Sequence, residues 1–289
     1  MISRRKIIFA CFFLFVIMVC VCPLYVEAVA LTDAGEKPTE NTTEITTEER
    51  ICEEKEGLAK LKKKINKELK GKKGKWSVYV KNLDTNEYML INDKKMPSAS
   101  LIKLYVMTTV YDEISSDAQK DSSLIRTRMK DMITVSDNEA TNALTASLTK
   151  KGTFNAGIKK INDYCKKEGY SKTRFLVKMG KSSPKNVTCV RDCGLLLERI
   201  YQGSCVNKKS SKKMLKLLKA QTRRGKLPAG VPKGVTVANK TGETGFCEND
   251  AAIVYSKGAD YVIVVMSQNG QKAVDEIRRI SGITYKYFN

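Results

Sequence analysis

Histidine is absent from the 289-residue sequence. That zero excludes Ser-His-Asp triads, Cys-His dyads and histidine-ligated zinc. Any general base must then be Lys, Glu, Asp or Tyr, and any nucleophile must be activated without imidazole. Acidic residues are also scarce: 31 stand against 52 Lys and Arg, a formal charge of +21. Such a field makes nucleic acid the first partner to consider. The chain nevertheless lacks zinc-finger spacing, an aromatic RNA-binding signature and a recognition-helix pattern, and its lysines run through every segment without forming one stripe. No nucleic-acid partner is expected, and no cofactor or metal. A solvated lysine-rich surface explains the charge, and an anionic cell-envelope polymer is the partner that would fit it.

What is present begins with an address. Arg4, Arg5 and Lys6 precede an uncharged, mostly apolar run from Ile7 to Val26, which is the pattern of an export signal. Ala28 and Ala30 offer a cleavage site after Ala30, and the run is also long enough to anchor the chain uncleaved through residues 7–26. Val19 and Val21 precede Cys20 and Cys22, where a bacterial lipoprotein site needs a small residue, so lipid anchoring is not expected. Residues 31–55 are rich in Thr and Glu with almost no large apolar side chain, and read as an unfolded tether. The organisation predicted is a signal peptide or anchor over 1–30, a linker over 31–55, and one catalytic domain, a monomer, over 56–289. Exported, it would lie outside the cell or at the envelope. Six of the nine cysteines (Cys52, Cys165, Cys189, Cys193, Cys205 and Cys247) follow the signal and are free to pair as disulfides in that compartment.

Periodicity predicts helices over Leu58–Leu69, Ser100–Ser115, Val190–Tyr201, Ser211–Leu218 and Val274–Ile283. It predicts strands over Lys75–Asn82, Glu87–Asn92, Val235–Asn239, Ala251–Tyr255 and Asp260–Met266. Two strands, a helical block, three strands and a last helix imply an α+β fold, in which the first and last strands join one antiparallel sheet around an all-helical insertion.

Ser100-x-x-Lys103 sets a hydroxyl and an amine one helical turn apart, so that the amine can take the hydroxyl proton. The spacing alone is uninformative, because Ser3, Ser147, Ser182 and Ser210 also precede a lysine by three. Context separates Ser100: the loop Pro97-Ser98-Ala99 leads into an otherwise apolar helix, so Lys103 is a lysine in a buried helix. Desolvation and a second nearby cation would lower its pKa toward that of a base. Ser136-Asp137-Asn138 and Lys240-Thr241-Gly242 each occur once. Separately they read as a helix cap and a strand end.

In this order the motifs resemble the signature set of the penicillin-recognising serine enzymes, the class A β-lactamases and penicillin-binding D-alanyl-D-alanine peptidases, over roughly Leu58 to Phe288. Asn142 after Asn138, the run Arg224 to Gly230, and Asn249-Asp250 before an apolar strand extend the likeness. The resemblance implies a five-stranded antiparallel sheet flanked by helices with an all-helical subdomain, and a β-lactam or peptidoglycan-like peptide as substrate. It implies Ser100 as acylated nucleophile, Lys103 as general base or relay, and Ser136 as proton donor to the leaving nitrogen. Asn138 would bind the substrate's side-chain amide, and Lys240 and Thr241 its carboxylate. The backbone N–H groups of Ser100 and Glu243, just after Gly242, would form the oxyanion hole.

One departure stands out. Class A β-lactamases carry a loop glutamate that activates the deacylating water, and from Gly169 to Arg191 this chain has no acidic residue at all. Asn142, which holds that glutamate in the family, would lack its partner. Glu139, Glu243 and Glu248 are the nearest substitutes in sequence. Two outcomes stay open: a β-lactamase with slow turnover, and a peptidase-like or penicillin-trapping protein. A surface binding module on the same fold is the reading from another class.

Overall fold

The computed structural model describes residues 47–180, 185–268 and 273–289, with side chains from residue 58 onward. The expected export signal lies outside the described residues, as does the linker up to residue 46. Residues 47–55, expected as tether, are helical. Helix α1 spans Thr47–Leu69, and Leu58, Leu61 and Ile65 are its buried stripe.

Strand β1, Lys75–Asn82, turns back through an Asn82-anchored loop into β2, Tyr88–Ile91. The chain then makes the two-residue strand β3, Met96–Pro97, and a single 3-10 turn over Ala99–Leu101 before α2, Ile102–Ser115. A helical block follows: α3 (Ser123–Thr134), α4 (Asn138–Ser147), α5 (Phe154–Lys167), α6 (Val190–Gln202) and α7 (Lys208–Lys219), with the short strand β4 (Val187–Thr188) before α6. Three long strands close the sheet, β5 (Val237–Thr244), β6 (Cys247–Val254) and β7 (Tyr261–Gln268), and α8 (Ala273–Phe288) ends the chain.

The strand order is β2-β1-β7-β6-β5, antiparallel throughout, with β1 beside β7 although the helical block and the other strands of the sheet lie between them in sequence. This is the α+β fold with a five-stranded antiparallel sheet that the motif order implied. Its central strands are buried on both faces. Val78, Val80, Ile263 and Val265 pack with Leu61, Ile65, Ile277 and Ile280 of α1 and α8. Tyr79, Ile253, Val262 and Val264 pack with the helical block. Alternate residues thus serve two separate apolar layers, which is why β7 reads as a continuous apolar run. Helix α2 is buried nearly all round, as its composition predicts.

The structure corrects several boundaries. Lys240-Thr241-Gly242 does not end its strand, because β5 continues to Thr244 in register with Cys247. Ser136 does not begin a helix: Asp137 is the cap, accepting from the Ala140 N–H at 2.6 Å. No disulfide framework forms among the five described cysteines, which are buried free thiols. Burial pushes Cys165, Cys193 and Cys205 up to about 12, so none of these is a thiolate nucleophile. Among the described residues no helix is long and apolar enough to cross a membrane, and no cluster of side chains is suited to hold a metal ion.

Candidate active site

Ser100 owes its position to a loop that is pinned from both sides. Pro97 pairs with Val187, and the Ser98 N–H donates to Asn186 O at 2.8 Å. From the sheet, the buried Asn249 donates its side-chain amide to Pro97 O at 2.9 Å and Ser98 O at 3.2 Å. Ala99 then takes φ +45°, a left-handed conformation that a non-glycine residue holds only when its surroundings enforce it. Ser100 follows within the 3-10 turn, so the α-helix proper starts two residues after Ser100 and not at it.

Gly242 shows how closely β5 approaches this turn. A Cβ there would lie 2.8 Å from Ser98 O and 3.1 Å from the backbone nitrogens of Ser100 and Leu101. Only glycine lets the strand backbone abut the turn, and that contact brings the amides of Ser100 and the Gly242-Glu243 segment into one neighbourhood.

Lys103, one turn into the helical segment, is fully buried. Its ammonium donates to Ser136 O at 2.5 Å, Asn138 Oδ1 at 2.7 Å and Ser136 Oγ at 3.3 Å. Ser136 is held at φ +63° between α3 and α4, which turns both its carbonyl and its hydroxyl toward that amine. From β5, Lys240 Nζ reaches the same hydroxyl at 2.9 Å and its own neighbour's carbonyl, Thr241 O, at 2.8 Å. Stretches of chain more than a hundred residues apart therefore meet on one hydroxyl. Ser100 Oγ makes no hydrogen bond among the described residues. It lines a small cavity of about 120 Å³ with Ser136, Asn138, Thr241, Arg223 and Glu243.

The electrostatics follow from burial. Desolvation pushes Lys103 down to about 7; Asp137 opposes this and Arg223 adds to it. Lys240 is also driven well below the usual lysine range, first by desolvation and then by Lys103. Two cations converge on one hydroxyl, and Asp250 is the buried carboxylate beneath them. Burial raises Asp250 to about 6, against hydrogen bonds from Asn239 at 3.0 Å and the Leu227 N–H at 3.0 Å.

The rim was not legible in the motifs. Arg223 pairs with Glu243 across the cavity edge. Lys226, buried behind them, reaches Glu243 at 3.3 Å, Glu248 at 2.5 Å, and the carbonyls of Gly242 and Asn249 at 3.3 Å each. Burial raises the Glu243 carboxyl, but Lys226 and Arg223 outweigh it and hold the group below the usual glutamate range. Glu243 and Glu248 are thus engaged with cations, and Glu139 is exposed. Asn142 does find a partner: its side chain accepts from the Met179 N–H at 2.9 Å and donates to Met179 O at 3.2 Å, so it grips loop backbone in place of a carboxylate. Of the residues the motifs singled out, Ser100, Lys103, Ser136, Asn138, Lys240, Thr241, Gly242 and Glu243 all fall in this one region. Arg223 is an addition from the structure, and Lys226 lies in the run Arg224 to Gly230, which was visible only as a likeness. The Asn249-Asp250 pair was visible as a likeness, without its role as a tether.

Solved structures share this architecture at low identity. A PBP-A variant in acyl-enzyme complex with penicillin G superposes with a TM-score of 0.72 at 24% identity, covering 80% of this chain and 97% of that one. The TLA-1 extended-spectrum β-lactamase gives 0.70 at 22% identity, with 80% and 99% covered. A β-lactamase from Xanthomonas campestris gives 0.70 at 15% identity, with 80% and 98% covered. These likenesses establish the fold. No curated protein matches the sequence. The profile of the β-lactamase enzyme family, however, matches residues 60–130 and 118–288, the sheet, the helical block and every motif residue included. The chain belongs to the β-lactamase enzyme family.

Proposed function

We propose that the protein is an acyl-serine hydrolase that opens β-lactams or related D-amino-acid amides through Ser100, and that it forms the acyl-enzyme faster than it hydrolyses it. The observation that carries this reading is the meeting of Lys103 and Lys240 on Ser136 Oγ beside the unbonded Ser100 hydroxyl. With Lys103 titrating near 7, a neutral amine is available at physiological pH to take the Ser100 proton. The Ser100 Oγ to carbonyl carbon bond forms, the N–H groups of Ser100 and Glu243 receive the developing oxyanion, and the carbon to nitrogen bond then breaks. Ser136, fed by the protonated Lys103, delivers the proton to the leaving nitrogen. Lys240 and Thr241 hold the substrate carboxylate, and Asn138, its oxygen fixed by Lys103, presents its NH₂ to the substrate's acyl side chain.

Deacylation is the slow half. The segment 169–191 has no acidic residue, Asn142 is engaged with Met179, and Glu243 and Glu248 are engaged with Lys226. Among the described residues, none of these positions offers a free carboxylate to activate water beside Ser100. The same observation favours a second reading, a D-alanyl-D-alanine peptidase-like or penicillin-trapping protein that releases its product by way of Lys103 or Ser136. The basic and apolar run over residues 4–26 supports export to the envelope, where either substrate occurs.

The test is to incubate the protein with a chromogenic cephalosporin and follow colour and intact mass together, with Ser100→Ala as reference. A colour burst followed by slow turnover, with a mass adduct on Ser100, is expected. Fast sustained turnover without an adduct would refute slow deacylation. Neither colour nor adduct would remove the acyl-serine reading for this substrate class.

A further inference from the structure

A cavity larger than the candidate active site lies elsewhere. It is a groove of about 770 Å³ between the last turns of α1 and the β1, β2 and β3 ends of the sheet. Its frame is built by side chains. Asn92, held at φ +52°, donates to Trp76 O at 3.0 Å, and Ser77 Oγ donates to Asn92 O and lies 3.1 Å from Met96 Sδ. Its walls are basic: Lys67, Lys70 and Lys72 on one side, Lys75, Lys94 and Lys95 on the other. No acidic residue lines it. Lys72 is neutralised by Glu276 at 2.8 Å. The other five are exposed, and none forms an ion pair among the described residues.

We propose that this groove binds a linear polyphosphodiester that carries no bases. Five uncompensated cations facing a concave strip repel one another, and an anionic chain laid between them relieves that repulsion while releasing its own counterions. The type of cation narrows the chemistry. Every basic lining residue is a lysine, a flexible point charge suited to phosphates at variable spacing, where planar bidentate recognition of carboxylates favours arginine. Aromatic character excludes bases. Trp76 is the one aromatic residue in the lining, only 6% exposed, with its Nε1–H committed to Lys73 O at 3.1 Å, so no ring is presented for stacking. The groove opens at the end of the sheet where Lys75 and Gln268 pair, and Met96 in its wall leads directly through Pro97 and Ser98 toward Ser100. An occupied groove would hold the active site close to an anionic polymer.

The chain supplies its own reporter, since Trp76 is the only tryptophan. The full-length protein would be titrated with poly(glycerol phosphate) while tryptophan emission is followed at several salt concentrations. A saturable change is expected. The logarithm of the binding constant should fall against the logarithm of salt with a slope of about −3.5, five contacts at the weight of a flexible chain. The variant Lys67→Gln/Lys70→Gln/Lys94→Gln/Lys95→Gln should lose affinity by at least about tenfold and flatten the slope to about −0.7. A control variant on α7, Lys208→Gln/Lys209→Gln/Lys212→Gln/Lys216→Gln, removes the same charge elsewhere and should stay within about twofold. Both variants should keep the parent's cephalosporin kinetics and melting temperature, which separates this outcome from the fate of the acyl-serine reading. Equal loss in the two variants would show a general charge effect and overturn the proposal. So would tighter binding of a thymidine oligonucleotide of matched charge, or the absence of a saturable tryptophan signal.

Discussion

The perturbed lysine at position 103 gives the sharpest quantitative expectation. In the proposed mechanism acylation needs its neutral form, and burial moves the group from 10.5 to about 7. At pH 7 about half of the molecules then carry a free amine, whereas an unshifted lysine would offer about one in 3,000, so burial supplies about three orders of magnitude in competent enzyme. The acylation rate, measured by stopped-flow burst with a chromogenic cephalosporin from pH 5 to 9, should rise tenfold per unit below the midpoint and level off above about 7. The neighbours fix the sign of two further shifts. Asp137 raises the lysine pKa and Arg223 lowers it. Asp137→Asn should therefore move the midpoint down while keeping the oxygen that caps α4, and Arg223→Gln should move it up. A rate that still climbs through pH 9, or an upward shift in Asp137→Asn, would refute Lys103 as the base.

Stability should carry the same signature. A lysine whose folded pKa is depressed binds fewer protons folded than unfolded between about 7 and 10.5, so stability rises with pH across that window. Denaturant titrations at pH 7 and pH 9 should show the parent gaining on the order of 2 kcal/mol more than Lys103→Met over that interval. Gly242→Ala drives a methyl into Ser98 O and the Ser100 backbone. It should cost about 1–3 kcal/mol in thermal unfolding and abolish the acylation burst, because the strand must retreat from the turn. Asn249→Ala strands the Pro97 and Ser98 carbonyls. It should destabilise by about 1–3 kcal/mol and slow acylation without moving the pH midpoint.

How much of this was legible without coordinates depends on what each feature rests upon. The sheet was legible because Val78, Val80, Ile263 and Val265 repeat with a period of two, and the buried helix because α2 has almost no polar face. The ends were not. The motif Lys240-Thr241-Gly242 contains a lysine and a glycine, which propensity places outside a strand, yet β5 runs through it because the ladder with β6 continues to Cys247. Helix α1 begins at Thr47 in a Thr and Glu segment whose composition carries no apolar stripe. The hydroxyls and amines of the candidate site were legible as motifs, since the spacing within each motif is local. Arg223, Lys226 and the Asn249 tether depend on side chains meeting across 16 to 152 residues, which no local pattern encodes.

The cationic site needs a reason for two lysines to share one hydroxyl when each makes the other harder to charge. Asp250 lies beneath β5, raised to about 6 by burial and bonded by Asn239 and the Leu227 N–H, and its charge favours protonated Lys240. Asp137 favours protonated Lys103 from the other side. An anionic substrate carboxylate arriving at Lys240 and Thr241 would add a third negative charge on the Lys240 side alone. It would hold Lys240 protonated, and that retained charge keeps Lys103 low. Substrate binding would then reinforce the protonation pattern that the proposed mechanism requires: a cation at Lys240 to hold the carboxylate, and a neutral amine at Lys103 to take the Ser100 proton. A neutral ester of the same β-lactam lacks that charge. Its acylation should be slower, with a midpoint no lower than that of the free acid, so comparing the two pH profiles tests whether the lysines act as a coupled pair.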